Sequence, residues 1–251
     1  MGTWSVIAVA AQAGVALMLL PGAAGAAEIK LLSSGAMRTA LEELAPQFER
    51  ATEHKLAISF AGTNAIASRL QAGETVDVVI AASPVIDTFV EAGKLVRRVD
   101  LVRSGVGIAV RAGAPKPDIG SAEAFKRTLL AAKSFARSTG PSGVYIARLL
   151  EGLGIAEEMK GKTTIVRSGL VAELVAKGEA EIGVQQISEL IAVKGVDVSP
   201  MPDALQQITV FAAGLFPATK DSEPVQALIK FLTSPAVYPV IKAKGLEPPH
   251  E

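Results

Sequence analysis

The sequence predicts an α/β protein of two lobes, each a mostly parallel sheet flanked by helices, and three observations predict it. Strand, polar turn and helix follow one another three times in the first hundred residues. The same style resumes in the middle of the chain. The chain then ends in two amphipathic helices with no strands of their own to cover. Repeated βα units argue for parallel sheets covered on both faces.

The elements come in this order. Ile29 to Ser33 is a short apolar run that passes through Ser34-Gly35 into a helix with Met37, Leu41, Leu44, Ala45 and Phe48 at helical spacing. Leu56 to Phe60 is the second strand, followed by Ala61-Gly62-Thr63-Asn64 and a helix carrying Ile66 and Leu70. Val76 to Ala82 is the third, and Ser83-Pro84 places a proline in the first turn of a helix that runs to about Gly93. In the middle, Val106 to Val110, Ser134 to Arg137, Thr163 to Val166 and Ile182 to Gln185 read as strands. Gly140-Pro141-Ser142-Gly143 opens a helix bearing Tyr145, Leu149, Leu150 and Leu153, and a further helix spans Leu170 to Lys177. After a strand at Ile208 to Phe211, helices near Glu223 to Leu232 and Pro235 to Lys244 are expected to pack back on the first lobe. The division is therefore 27–105 for the first part of lobe 1, 106–204 for lobe 2, and 205–251 for the return segment of lobe 1. Two crossing strands would form the hinge.

Residues 1–26 carry no charged side chain and are almost continuously apolar from Val6 to Leu20. They end in Pro21-Gly22 and a run of small residues in which Ala24-Gly25-Ala26 fits a signal-peptidase site, so 1–26 reads as a signal peptide and the mature chain as periplasmic. The stretch is also long enough for an uncleaved anchor, but the small residues suit cleavage better. Twenty-five basic and 25 acidic side chains cancel, so no global field invites nucleic acid or a membrane surface, and any preference for anions must be local. The absence of cysteine excludes disulfides, thiolate metal sites and a cysteine nucleophile.

The catalytic inventory is thin. His54 precedes a strand and His250 is the penultimate residue, and both read as solvated surface groups rather than bases or metal ligands. Neither a Gly-x-Ser-x-Gly elbow, a phosphate loop nor a His-Glu-x-x-His pair occurs, so no cofactor or metal is expected. The chemistry instead concentrates at four strand-to-helix turns: Ser33-Ser34-Gly35, Gly62-Thr63-Asn64, Pro141-Ser142-Gly143 and Ser168-Gly169. At each, free N–H groups at a helix start and a short hydroxyl can face the carboxyl edge of a sheet, although a plain N-cap uses the same residues. Arg38, Arg137 and Arg167 each sit beside one of these turns, where a guanidinium could grip a carboxylate through two bonds. Gln185-Gln186 end an apolar strand at the edge where such sheets bind ligands. Glu189 is the carboxylate nearest to that turn and reads as a helix-surface residue.

From Ile29 to Gly245 the chain resembles the periplasmic molybdate-binding proteins of ABC transporters, which have the type II periplasmic-binding-protein fold. The segments that carry the resemblance include Ser33-Ser34-Gly35-Ala36-Met37, Leu41 to Glu49, Ser59 to Asn64, Pro141 to Tyr145 and Gly178 to Val184. The resemblance implies a monomer that holds a small anion between its lobes for an ABC permease, with hydroxyls and amides of these turns as ligands. Thr63 keeps the second-turn hydroxyl, the first-turn serine falls at Ala36, Ser142 and Ser168 replace other contacts, and the ligand-binding tyrosine falls at Gln186. A pocket changed in this way suits a di- or tricarboxylate better than molybdate. Some relatives of the fold resemble aconitate isomerases, which implies an alternative: an exported isomerase that moves an allylic proton on a clamped tricarboxylate. That step needs a positioned base. Glu189, Tyr145 or a lysine could supply it.

Overall fold

The structure is a computed structural model that describes residues 25–249. Nearly all of the segment read as a signal peptide therefore lies outside the described residues. Among the described residues no helix is long and apolar enough to cross a membrane.

The elements follow the βα pattern. β1 (Glu28–Ser34) leads through a 3-10 turn at Gly35–Met37 into α1 (Arg38–Thr52), then come β2 (Lys55–Ala61), α2 (Thr63–Gln71), β3 (Val78–Ala82) and α3 (Ser83–Glu91). β4 (Arg97–Arg111) is followed by α4 (Ala122–Ala131), β5 (Phe135–Ser138), α5 (Pro141–Gly152), α6 (Ala156–Lys160), β6 (Thr163–Val166), α7 (Val171–Lys177), β7 (Ile182–Gln186), α8 (Ile187–Leu190) and β8 (Val196–Pro200). β9 (Ile208–Leu215), α9 (Glu223–Leu232) and α10 (Tyr238–Ala243) complete the chain.

Two sheets share one long strand. In the first, β2, β1 and β3 are parallel, β9 joins β3 antiparallel, and residues 97–105 of β4 join β9 antiparallel. In the second, residues 106–111 of β4 lie between β7 and β8, both antiparallel to it, and β7, β5 and β6 continue in parallel. The central strand β3 reads Val-Val-Ile-Ala-Ala and is buried throughout, as a strand covered on both faces requires.

Each sheet is indeed sandwiched. On one face of the first, Leu41, Leu44 and Phe48 of α1 pack with Leu228 and Leu232 of α9 and with Ile241 of α10, so the two C-terminal helices return to the first lobe. On its other face Ile66 and Leu70 of α2 meet Ile86 and Phe89 of α3. The second sheet carries Phe125, Phe135, Ile146 and Leu150 on one side and Val171, Val175 and Leu190 on the other.

The crossing between lobes is held by side chains. Where β4 passes from one sheet to the other, the Gln206 amide adds to the backbone bonds of Val106: its Oε1 accepts from Val106 N at 2.7 Å and its Nε2 donates to Val106 O at 3.1 Å. Gly105 lies against that amide, and a Cβ there would fall 3.1 Å from Nε2. The sequence pattern revealed only the second half of β4, because Arg97 to Arg103 mixes four charged residues into a strand near the molecular surface. It also missed α4, α6 and β8.

His54 departs from the surface role expected of it. It is only 4% exposed, its Nδ1 accepts from Ala27 N at 3.3 Å, and its Nε2 donates to Glu223 at 3.0 Å. The ring thus ties the start of the described chain to the start of α9. His250 lies outside the described residues.

Candidate functional site

A cavity of about 360 Å³ opens between the lobes, at the carboxyl ends of β1, β2, β5, β6 and β7. That edge collects helix starts by construction, since each parallel strand hands the chain to a helix there. Ser34 and Gly35, then Gly62 and Thr63, reach it from the first lobe. Ser138 to Pro141, Val166 to Leu170, and the Gln185-Gln186 pair with Glu189 reach it from the second. Phe60 and Phe211 supply apolar wall.

Of the residues singled out from the sequence, Ser34, Thr63, Ser168, Gln186, Arg38 and Arg167 line this cavity together. Ser34 Oγ also accepts from Ala36 N at 3.4 Å, capping the turn that aims Gly35 at the cavity. Thr63 Oγ1 is buried and has no hydrogen-bond partner among the described residues, a state that costs about 1–3 kcal/mol unless a ligand supplies one. Arg38 is steadied by the Phe60 ring, with its guanidinium carbon 4.2 Å from the ring centroid, and by Glu42 at 3.7 Å. Arg167 and Ser168 are exposed at the mouth.

The other five lie off the wall. Ser33 is fully buried and its Oγ donates to Ser34 O at 3.2 Å. Asn64 sits at the rim, where its Nδ2 donates to Thr139 O at 2.7 Å, a direct bond between the lobes. Ser142 turns inward, its Oγ 3.5 Å from Ser138 Oγ. Gly143 lies beneath the Ser138 carbonyl, with room only for hydrogen: a Cβ would land 1.7 Å from that oxygen. Arg137 donates to Gly143 O at 3.2 Å and to Ser138 O at 3.4 Å, so it braces the end of β5 against α5.

Gln186 touches the cavity but spends its amide on the hinge. In the orientation that gives every donor an acceptor, its nitrogen donates to Ser104 O at 3.0 Å and Gly105 O at 3.2 Å, while its oxygen accepts from Thr209 Oγ1 at 2.9 Å. Tyr145 is engaged elsewhere, donating to Leu205 O at 2.7 Å.

Sequence reasoning passed over Ser138 and Thr139, and it read Glu189 as a surface residue. Ser138 is the last residue of β5 before Thr139-Gly140-Pro141, and that strand-end position was the available signal. Glu189 belongs to the cavity wall: its Oε1 lies 3.3 Å from where a Cβ on Gly35 of the opposite lobe would stand. Burial pushes its carboxyl up to about 7, against the lowering effect of the Gln186 backbone N–H and the Gln185 side-chain amide. Gln185 is itself fixed, because its Oε1 accepts from Val171 N at 2.8 Å at the start of α7.

Two α/β lobes joined by crossing strands, with helix starts, hydroxyls and two guanidiniums around the cavity between them, are the architecture of a solute-binding protein. The chain belongs to the bacterial extracellular solute-binding protein family, whose sequence model matches residues 29–247. It is 38% identical to the aconitate isomerase of a Pseudomonas species over 229 residues, 88% of this chain and 87% of that one. It is 31% identical to the molybdate-binding protein ModA of Azotobacter vinelandii over 245 residues, 90% of this chain and 92% of that one. Among solved structures, the periplasmic molybdate-binding protein of Azotobacter vinelandii superposes with a TM-score of 0.74 at 18% identity, covering 88% of this chain and 100% of that chain.

Proposed function

We propose that the interlobe cavity binds a small di- or tricarboxylate and that the protein interconverts the cis and trans forms of such a ligand, as an aconitate isomerase does. The observation that carries this reading is the placement of Arg38 and Arg167 on one cavity from opposite lobes. Two guanidiniums so placed match two separate carboxylates, each through a forked pair of charge-assisted bonds. A single compact oxyanion needs no such spread. The volume of about 360 Å³ falls in the range of about 300–1,000 Å³ usual for organic ligands. The 38% identical isomerase supports the chemistry as well as the ligand class. In this reading lobe 1 comprises 27–105 and 205–251, lobe 2 comprises 106–204, and the chain is exported to the periplasm after loss of residues 1–26.

The second reading is a binding protein that delivers its anion to an ABC permease. The hinge favours it, since two crossing strands tied at their crossing by the Gln206 and Gln186 amides suit opening and closing. Proton NMR of trans-aconitate incubated with the purified protein separates the two. The isomerase reading predicts resonances of the cis isomer that grow in proportion to protein concentration. An unchanged spectrum from a protein that binds the ligand leaves the carrier.

A further inference from the structure

Resting on the isomerase reading, we propose that Glu189 is the residue that moves the proton on the bound polycarboxylate, and that Gln185 positions it. Several observations converge on Glu189. Its carboxylate lines the cavity from α8 and reaches the backbone of Gly35 on the other lobe, so it lies where a ligand clasped by both lobes must pass. Every other ionisable group on that wall has a different character. Arg38 on α1 and Arg167 after β6 carry guanidiniums suited to holding carboxylates, and Glu173 on α7 is exposed at the mouth. Glu189 is the wall carboxyl that burial holds near neutrality, where a general base works best.

Gln185 joins this group to the rest of the site. Its oxygen is taken by Val171 N–H, which leaves its NH2 to face the Glu189 carboxylate. The amide therefore fixes the acid relative to α7 and to the Ser168-Gly169 turn that precedes it.

The step balances without any co-reactant. The Glu189 carboxylate takes a proton from the methylene carbon that is both allylic to the double bond and next to a carboxylate. The electron pair of that C–H bond spreads over the three allylic carbons and onto the carboxylate oxygens faced by the guanidiniums. A new C–H bond then forms at the far allylic carbon with the proton held by Glu189, the double bond has moved, and the carboxylate is ionised again. No proton is gained or lost.

The test uses the full mature chain with Glu189→Gln, which keeps the shape and one acceptor oxygen while removing proton transfer. Isomerisation of trans-aconitate, followed by proton NMR, should fall about 10³-fold, within the usual range for a lost acid–base group. Calorimetric binding of trans-aconitate should change only a few-fold. The acid limb of the wild-type pH–rate profile, which reports ionisation of the Glu189 carboxyl, should be absent from the residual activity. A variant that isomerises within threefold of the wild type, or whose residual activity keeps the same acid limb, overturns the role of Glu189 while leaving the isomerase reading intact. A wild type that binds but never isomerises overturns both. Gln185→Leu should lower kcat with little change in KM and move the acid limb of the pH–rate profile to higher pH, because the carboxylate loses a stabilising donor. A loss of activity with an unmoved profile reduces Gln185 to a structural residue.

Discussion

The Asn64 side-chain amide donates to the Thr139 carbonyl across the mouth of the cleft, at 2.7 Å, and so couples the second turn of one lobe to the β5–α5 turn of the other. Asn64 is exposed on lobe 1 and contributes nothing to either core. The bond is therefore expected to act on closure rather than on folding. Asn64→Ala should leave the melting temperature nearly unchanged and speed ligand dissociation about fivefold, corresponding to about 1 kcal/mol for one net hydrogen bond. Stopped-flow displacement measures this.

Glu189 links the site to stability. Its folded pKa of about 7 lies above the ordinary 4.5, so between those values the native state binds more protons than the unfolded chain. Stability is then highest below about pH 4.5, as far as this group is concerned, and is lost as pH rises through 7. The penalty at full ionisation is at most about 3.5 kcal/mol. Glu189→Gln should flatten that part of the curve and melt at a higher temperature than the wild type at pH 8. Thermal unfolding from pH 5 to 8 for both proteins checks it.

Glycines in α5 give a contrast of opposite sign. Gly143→Ala places a Cβ 1.7 Å from Ser138 O, a backbone atom that cannot yield without moving β5 or α5. A loss of about 1–3 kcal/mol or more is expected, with weaker ligand binding because Ser138 to Gly140 would shift. Gly152→Ala meets nothing within 4 Å at the end of the same helix and should stabilise by up to about 1 kcal/mol. Urea denaturation of the two variants reads both.

The clasp by two arginines predicts that lysine cannot replace them. Arg38→Lys and Arg167→Lys keep the charge and lose the fork, so each should weaken polycarboxylate binding about tenfold, or about 1.4 kcal/mol. Arg137→Lys should leave affinity nearly unchanged and reduce stability instead, because Arg137 braces Gly143 O and Ser138 O away from the cavity wall. Titration together with melting separates the two effects.

The sequence was most readable where burial imposes a period. The apolar run of β3 and the stripe of Leu41, Leu44 and Phe48 each follow from a face that must be covered, and both stand where the pattern put them. The four polar turns were visible for the same reason, since a parallel strand must hand over to a helix at that edge. Which side chain of a turn faces the ligand was not visible. Ser138 rather than Ser142 lies on the wall, because Ser142 already belongs to α5 and turns toward the end of β5. Glu189 looked like a surface charge because its neighbours along the chain are ordinary, and the approach of Gly35 from the other lobe is invisible in the local sequence. His54 was misread likewise, as its partners Ala27 and Glu223 lie far away in the chain.

The choice of ligand is the centre of this account, and calorimetric titration of the purified protein tests it most directly. Cis-aconitate, trans-aconitate or citrate should bind more tightly than molybdate, tungstate or sulfate, because Arg38 and Arg167 can each take a separate carboxylate, a spread that a compact oxyanion cannot match. Tight binding of molybdate with no heat from the organic acids would contradict it.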